Sequence, residues 1–286
     1  MYLSPQDFFY TSNFTAKKPS IETLLEKGSG ATNEDCIVIG ETTYGVFDGA
    51  TSLSPSVFQG NLTGGRLAAE TCAAAFNDET LSLFQAAVWA TQEIRRKAVA
   101  CGVDYQRKEQ IWSASGAVVR LHGDHLDWCQ IGDCHIVAIF SDGSYRLLTE
   151  DSGQDLPTLR KWKEIAPRSS GTIMEHLADD IQAVRQTMNN AYGVLNGEVE
   201  ALDFLQSGSQ SLDNVRNVLV YSDGLMLPQR NPESQQDLEM FVSLYKRGGL
   251  SCLRDHIRGK QLEDIGCRKY PRFKTHDDIS AVALSL

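Results

Sequence analysis

The chain has 286 residues, of which 42% are hydrophobic and 22% charged, as expected of a folded globular protein with one large layered domain. Its net charge of −10, without a basic stripe, excludes a nucleic-acid-binding module, and no apolar run approaches the roughly 18 residues that span a bilayer. Its seven cysteines include no C-x-x-C pair, which argues against a zinc site or a disulfide framework. No secretory signal is visible, so we expect a cytoplasmic protein.

The first part of the chain is predicted to be mostly irregular, apart from one hairpin. Residues 1–28 are expected to form an irregular N-terminal extension with a short helix near residues 20–26. Residues 36–39 and 42–47 are rich in β-branched and aromatic side chains and are separated by a Gly-Glu pair, which predicts a β-hairpin. Residues 51–65 are rich in Ser, Thr, Gly and Pro and are predicted to form a loop.

Two helices and four strands are predicted next. Residues 66–76 and 81–99 carry apolar side chains at helical spacing, and Asn77 and Asp78 between them are suited to cap the second helix. The strands that follow are separated by short turns containing Gly and Asp, so each should pair antiparallel with the next. These four strands are residues 114–121, 125–131, 135–140 and 145–148.

The second half of the chain mixes helical and strand-like segments. Residues 152–170 are predicted to form a loop or a flap, and residues 175–191 have helical character. The remaining elements are a buried strand at 215–222, helices at 235–247 and 250–258, and a final alternating strand at 279–286. Helices grouped between blocks of strands indicate layers, an antiparallel pair of sheets covered by helices, and no linker divides the chain.

Four acidic motifs lie beside predicted strands. Asp48 and Asp223 each follow a strand and precede a glycine, whereas Glu34-Asp35 and Asp277-Asp278 each precede a strand. A strand that enters where its antiparallel neighbour leaves would bring such acids to one edge of a sheet. Carboxylate oxygens are the ligands that hard divalent cations prefer, and Gly49 would let a backbone carbonyl approach an ion. The pattern predicts a rim of at least four carboxylates at a metal site, although a single Asp-Gly pair also suits an ordinary turn.

In order and spacing, seven motifs over residues 30–286 resemble those of the metal-dependent protein phosphatases of the PP2C (PPM) family. They are Asn33-Glu34-Asp35, Gly45-Val46-Phe47-Asp48-Gly49, Ser113-Ala114-Ser115-Gly116-Ala117-Val118-Val119, Gly132-Asp133-Cys134, Leu148-Thr149-Glu150-Asp151, Ser222-Asp223-Gly224-Leu225 and Asp277-Asp278-Ile279-Ser280. The resemblance implies an α+β fold of four layers (αββα), in which an antiparallel β-sandwich is flanked by helices on both faces. It also implies that residues 1–286 form a single phosphatase domain.

The resemblance further implies a metal-dependent chemistry. Asp48 would bridge two ions, Asp223 and Asp277 would complete one of these sites, and Asp133 would contribute to a third, weaker site. A metal-activated water would then hydrolyse phosphate monoesters, above all phosphoserine and phosphothreonine in a phosphoprotein substrate. The implied cofactors are two or three ions of Mn²⁺ or Mg²⁺, and the implied catalytic residues are Asp48, Asp223 and Asp277. The implied metal ligands are Glu34, Asp35, Asp48, Gly49, Asp133, Asp223 and Asp277.

The chain departs from the family pattern at two places. Many members carry an arginine a few residues before the first acidic motif, where it grips the substrate phosphate, but residues 29–32 contain none. Arg66 is a candidate substitute in substrate binding, with a plain surface position as the alternative. Eukaryotic members often place a histidine after the Asp-Gly pair as a proposed general acid, whereas this chain has Ala50-Thr51-Ser52. His276, beside Asp277, is expected to have a structural role.

Two alternative functions stay open at this point. The missing arginine and the altered loop also suit a phosphatase of a small phosphorylated metabolite. A catalytically weak pseudophosphatase, acting as a binding or regulatory protein, would bind metal without turning over a phosphoester. In each case we expect no nucleic-acid partner, no membrane association and a monomer.

Overall fold

The structure is a computed structural model that describes residues 18–51, 53 and 57–286. These residues form ten strands and six α-helices. The strands are β1 (Ser20–Glu26), β2 (Cys36–Ile39), β3 (Thr43–Gly49), β4 (Ala114–Leu121), β5 (His125–Ile131), β6 (His135–Phe140), β7 (Tyr145–Leu147), β8 (Gln206–Ser211), β9 (Val215–Tyr221) and β10 (Ile279–Ser285). The helices are α1 (Gly64–Phe76), α2 (Leu83–Ala100), α3 (Leu156–Ile165), α4 (Ile173–His176), α5 (Ala178–Arg185) and α6 (Leu238–Leu262).

Two five-stranded antiparallel sheets form the centre of the fold. The first sheet has the order β1-β10-β9-β6-β7, and the second has the order β2-β3-β4-β5-β8. Side chains alternate across each strand, so Val218 and Val220 of β9 pack with Val46 of the second sheet, whereas Leu219 and Tyr221 face outward. The inner faces of the two sheets therefore share one apolar core, as in a β-sandwich.

Helices cover the outer face of each sheet. Helices α1 and α2 pack on the second sheet through fully buried alanines, including Ala68 and Ala90. On the opposite face, Phe241 and Leu253 of α6 pack against Leu219 of the first sheet. This arrangement confirms the predicted four-layer αββα architecture. Within the described part of the chain, no helix is both long and apolar enough to cross a membrane.

The predicted interruption of the long C-terminal helical region is confirmed. Helix α6 contains two non-helical residues, Gly248 and Gly249, and the φ of 68° at Gly249 lies in the left-handed region that favours glycine. The carboxylate of Glu22 accepts a hydrogen bond from the Leu250 backbone N–H at 2.9 Å, which caps the second half of the helix. This contact fastens α6 to the edge strand β1.

The prediction that residues 20–26 form a short helix in an irregular extension is wrong. They form β1, which pairs with β10 from Ser20↔Ser285 to Glu26↔Ile279. The apolar residues Ile21, Leu24 and Leu25 fit either a helical or an extended pattern, because the strand lies at a sheet edge and is only partly buried. Pairing with a strand 250 residues away decides between them, and no local signal carries that information. Residues 1–17 of the predicted extension lie outside the described residues.

The turn at Gly132 and Asp133 was predicted to join antiparallel neighbours, and this is wrong. Strands β5 and β6 belong to different sheets, so the chain crosses the sandwich at this point. Gly132 has a φ of 81°, and a Cβ there would lie 2.2 Å from Ser115 Oγ, so both the backbone shape and the space require glycine. The crossing places Asp133 between the ends of the two sheets.

Three further differences concern segments whose partners are distant in sequence. Residues 152–170 contain helix α3, whose Trp162 is fully buried and donates from Nε1 to the Cys267 carbonyl, so they are not simply a loop. The helix predicted at 175–191 is shorter and divided, and the polar edge strand β8 was missed. The second predicted helix is capped by Ser82, in a capping box with Gln85, and not by Asn77 or Asp78.

Candidate metal centre

Acids from the first sheet meet at one edge of the sandwich. Asp223 follows β9, and Asp277 precedes β10, which is the antiparallel neighbour of β9. The Ser222 backbone N–H donates to the Ser280 carbonyl at 2.9 Å and keeps the two strand ends in register. Asp133 precedes β6, which pairs with β9 through His135↔Tyr221. The predicted convergence of strand-end acids is therefore present.

The second sheet supplies Asp48 to the same edge. Asp48 lies near the end of β3, opposite Ser115 of β4. Its carboxyl group is close enough to that of Asp223 to share a hydrogen bond. Gly49 is required because a Cβ there would lie 2.3 Å from the Gly65 carbonyl oxygen and 2.8 Å from that of Glu34. The Gly49 backbone is therefore packed closely against the carbonyl groups of Gly65 and Glu34.

The electrostatics of this cluster are those of acids without enough counter-charge. Desolvation, followed by repulsion from neighbouring carboxylates, raises the pKa of Asp48 and of Asp223 well above the usual range. Burial, opposed by hydrogen bonds from serine hydroxyls, raises the pKa of Asp35 to about 7. Asp35 Oδ1 and Asp223 Oδ1 are buried without a hydrogen-bond partner. A cation would relieve both the repulsion and the missing contacts, and an all-oxygen donor set suits Mg²⁺ or Mn²⁺.

The carboxylates are nevertheless spread apart. Among the described residues, no three acids of this cluster bring an oxygen each to within 4.8 Å of one another. Asp277 Oδ1 is held by the Lys274 ammonium at 2.7 Å and by the Asp278 backbone N–H at 2.9 Å. The cluster therefore fits divalent ions in donor chemistry, and the side chain of Asp277 is already engaged by a cation of the chain itself.

Glu34 and Asp278 are anchored by hydrogen bonds. The Glu34 carboxylate accepts from the hydroxyls of Thr51 and Thr63, each at 2.5 Å. Asp278 accepts from the backbone N–H groups of Gly28 at 2.7 Å and Glu34 at 2.8 Å. Asp278 therefore fixes the segment that carries Glu34 to the start of β10, which is a positioning role that its place in the motif alone did not reveal.

Arg66, the predicted substrate contact, is engaged elsewhere. Its Nε bonds to Glu70 at 2.7 Å, one turn along α1, and its Nη1 donates to the backbone carbonyls of Asn33 and Asp35. Arg66 does not line the cleft beside the acids. These contacts indicate that the guanidinium fixes the backbone of the first acidic motif, and they argue against a substrate-binding role. His276 bonds to Gln261, which agrees with the structural role expected for it.

Three residues near the centre were not found from the sequence. Lys274 belongs to no motif, and its ammonium donates to Asp277 Oδ1 at 2.7 Å. Burial alone would lower the pKa of Lys274, but the carboxylates of Asp277 and Asp48 outweigh burial and raise it. Burial and the charge of Asp133 raise the pKa of Asp155 to about 7. Arg185, at the end of α5, donates from Nη2 to the Thr51 carbonyl at 2.6 Å.

A cleft of about 780 Å³ opens beside the acids. Asp223, Asp277 and Lys274 are among the residues that line it. Apolar side chains also line it, including Leu156 and Leu159 of α3 and Phe273. A cleft of this volume is larger than a single phosphate group requires and can hold several residues of a peptide.

Comparison with known proteins identifies the family. A family model described as Protein phosphatase 2C matches residues 29–265, more than half of the chain, so the chain belongs to this family. Family membership makes it a PP2C-like serine/threonine phosphatase, a metal-dependent phosphoric monoester hydrolase, as the motifs indicated. No curated protein matches the sequence.

Solved structures support the fold at low sequence identity. The serine/threonine phosphatase PstP/Ppp of Mycobacterium tuberculosis aligns with a TM-score of 0.56 and 16% identity over 94% of this chain and 99% of its own. The catalytic domain of PstP in complex with two manganese ions aligns equally well, covering 98% of its own chain. Stp1 of Staphylococcus aureus aligns with a TM-score of 0.56 and 14% identity over 94% of this chain and 96% of its own.

Proposed function

We propose that this chain hydrolyses phosphoserine and phosphothreonine in proteins with Mn²⁺ or Mg²⁺ bound between Asp48, Asp223 and Asp277. The observation that carries the proposal is the convergence of Asp48 from one sheet with Asp223 and Asp277 from the other, with buried carboxylate oxygens that lack a partner. Acids in this arrangement repel one another when they are ionised, and bound cations would offset that repulsion.

The residues have distinct tasks in this proposal. Asp48, Asp223 and Asp277 would hold the ions, and Asp133 would contribute to a further, weaker site. Bound there, the ions would supply a water of lowered pKa and neutralise charge on the phosphoryl oxygens. The Gly49 carbonyl would add a backbone donor, and Glu34 and Asp35 would act through waters. No side chain is needed as a covalent nucleophile, which agrees with the absence of a cysteine among the residues that line the cleft.

Lys274 is the proposed phosphate contact in place of the missing arginine. Lys274 lines the cleft, its ammonium lies 2.7 Å from Asp277 Oδ1, and 28% of its side chain is exposed. With Asp277 engaged by an ion, this ammonium would be available to a phosphoryl oxygen. A lysine contacts phosphate as a point charge and not as a bidentate fork, so one hydrogen bond is expected.

A protein substrate fits the cleft better than a small metabolite does. The apolar wall formed by Leu156, Leu159 and Phe273 would remain unused by a small phosphate ester. Among the acidic side chains that line the cleft, Glu150 and Asp151 favour peptides with basic residues near the phosphorylated one. We further propose that the chain forms a single domain, because groups of strands from the two sheets alternate along the chain. We also propose a cytoplasmic location, because all seven cysteines are free thiols.

Substitution of the bridging acid tests the proposed function. In Asp48→Asn, hydrolysis of both p-nitrophenyl phosphate and a phosphothreonine peptide should fall at least about 100-fold, because the shared ligand and its charge are changed. Asp213→Asn, in an exposed turn, is the matched control and should retain full activity. Activity of the wild-type chain should disappear in EDTA and return with Mn²⁺. Activity that survives in Asp48→Asn, or in excess EDTA, would overturn the proposal.

A further inference from the structure

The hairpin between β4 and β5 carries a second cluster of metal-ligating side chains. His122 and His125 flank its two-residue turn, with the His122 backbone N–H donating to the His125 carbonyl at 2.8 Å. Asp127 lies two residues after His125 and therefore points to the same face of the strand. Within the described part of the chain, this is the group of three His, Cys, Asp or Glu residues whose ligand atoms all lie within 4.8 Å of one another.

The cluster is remote from the acidic centre. Asp48 pairs with Ser115 at one end of β4, and His122 follows the other end of that strand. Seven residues separate Ser115 from His122, and a strand rises about 3.3 Å per residue, so the two places are roughly 23 Å apart. The cluster therefore belongs to neither the acidic centre nor its cleft.

The three side chains lie within reach of one ion, with one ligand atom from each within 4.8 Å of the others. His122 Nε2 lies 3.2 Å from Asp127 Oδ2, and His125 Nε2 lies 3.8 Å from Asp127 Oδ1. An ion with bonds of about 2.0–2.1 Å to nitrogen and oxygen separates its ligands by about 3.4 Å in tetrahedral geometry. The two imidazole rings are stacked, with centroids 4.8 Å and planes 20° apart, so the rings must turn about their side-chain torsions before both Nε2 atoms point to one ion.

The contact behind His125 orients its imidazole ring. Its Nδ1 lies 2.7 Å from Asp124 Oδ1. With Nδ1 turned to Asp124, Nε2 faces the Asp127 carboxylate at 3.8 Å and is the ring nitrogen available to an ion. A carboxylate behind a histidine is also the common arrangement of outer ligands at metal sites. Arg120, the cross-strand partner of Asp127, does not compete, because its guanidinium bonds to Thr43 and Leu81.

We propose that His122, His125 and Asp127 bind one transition-metal ion of the Zn²⁺ type, with a fourth position open to water or to a ligand from a partner. Two imidazoles and one carboxylate suit Zn²⁺, Ni²⁺ or Cu²⁺ better than Mg²⁺ or Mn²⁺, whereas the all-oxygen acidic centre has the opposite preference. The two ends of the second sheet would thus bind two different classes of ion. An ion at the hairpin clamps β4 to β5 and stabilises that end of the second sheet.

The test uses the full chain in excess Mg²⁺, so that the acidic centre is filled, and titrates Co²⁺ as a spectroscopic probe and Zn²⁺ by calorimetry. Wild type should bind one equivalent of either ion, and Co²⁺ should give the intense visible absorption of a tetrahedral site without a thiolate charge-transfer band. His122→Ala and His125→Gln should lose both signals. His256→Ala, another surface histidine, should keep them. Asp124→Ala should weaken binding about 10- to 100-fold while leaving the stoichiometry unchanged.

Phosphatase activity separates this proposal from the proposed function. Because the hairpin is roughly 23 Å from Asp48, the hairpin variants should keep wild-type activity with Mg²⁺, and their circular dichroism should show that they fold. The proposal is overturned if the Co²⁺ spectrum is absent from wild type, or if the stoichiometry is the same in His122→Ala as in wild type. A thiolate band would also overturn it, because the ion would then be bound by a cysteine.

Discussion

Replacing Lys274 by methionine should change metal binding and substrate binding in opposite directions. Methionine keeps most of the length and the apolar stem of the side chain but removes its charge. In the structure, the Lys274 ammonium occupies Asp277 Oδ1 at 2.7 Å, so an ion that binds there must first displace it. After displacement, the same ammonium is available to the substrate phosphate. Lys274→Met therefore removes a competitor of the metal and a ligand of the phosphate.

The size of both effects follows from the geometry. About 28% of the Lys274 side chain and 31% of the Asp277 side chain are exposed, so the pair is partly shielded from water. Its interaction energy should therefore lie between that of a surface ion pair, about 0.2–1 kcal/mol, and that of a shielded charged hydrogen bond, about 1.5–3 kcal/mol. A value of about 1–2 kcal/mol predicts that Mn²⁺ binds about 5- to 30-fold more tightly to the variant. Loss of one charged hydrogen bond to phosphate predicts a fall in kcat/KM of about 10- to 100-fold.

Calorimetric titration with Mn²⁺ and initial rates on a phosphothreonine peptide measure the two effects separately. The rates must be taken at saturating Mn²⁺, so that a change in metal affinity does not appear as a change in kcat/KM. Lys246→Met is the matched control, because Lys246 is exposed and contacts only the Gly143 carbonyl. A purely structural role for Lys274 would weaken both metal and substrate binding. Unchanged Mn²⁺ affinity together with unchanged kcat/KM would refute the reasoning.

Two further predictions concern the support of the centre and its charge. Gly28→Ala would place a Cβ 2.3 Å from the His276 carbonyl oxygen, so it should lower the free energy of unfolding by about 1–3 kcal/mol or more and weaken Mn²⁺ binding at Asp277. Gly30→Ala is the control, because its Cβ would have its nearest contact at 3.5 Å, and it should be close to neutral. Urea unfolding and calorimetry measure the two effects. In EDTA, the free energy of unfolding should fall as pH rises from about 4 to 7. Between these pH values Asp35 keeps its proton only in the folded state, because folding raises its pKa from 3.8 to about 7. The full effect of this one group is about 4 kcal/mol. Saturating Mn²⁺ should flatten this slope, and a flat profile in EDTA would contradict the assignment.

The layered fold and the positions of the acids could be predicted because their signals are local. Strand ends at Asp48 and Asp223 are visible as apolar runs that stop at an Asp-Gly pair, and antiparallel pairing then requires that they meet strands entering at Asp277. Alternation of side chains in β9 and β10 likewise marks which residues face the sandwich core. These features depend on neighbours a few residues away and on the geometry of one strand pair.

What could not be predicted depends on contacts between distant parts of the chain. The polar strand β8 has no apolar alternation, and only its ladder to β5, from His125↔Ser211 onward, makes it a strand. The crossing at Gly132 has the same sequence signal as a hairpin turn, since a glycine with positive φ serves both. Lys274 resembles any surface lysine in sequence; Asp277 is only three residues away, but the influence of Asp48, on a distant strand, has no local signal. The contacts of Arg66 with the Asn33 and Asp35 carbonyls could not be predicted, because those carbonyls belong to a separate segment of the chain.

The position of β10 between β1 and β9 has a consequence for folding. This strand lies inside its sheet and brings Asp277 to the centre. Until it is inserted, β1 lacks its neighbour in the sheet and β9 presents an open edge, so the acidic centre is incomplete. A ladder that joins residues more than 250 positions apart also raises contact order and slows folding. The acidic centre is therefore completed only when these two distant segments meet.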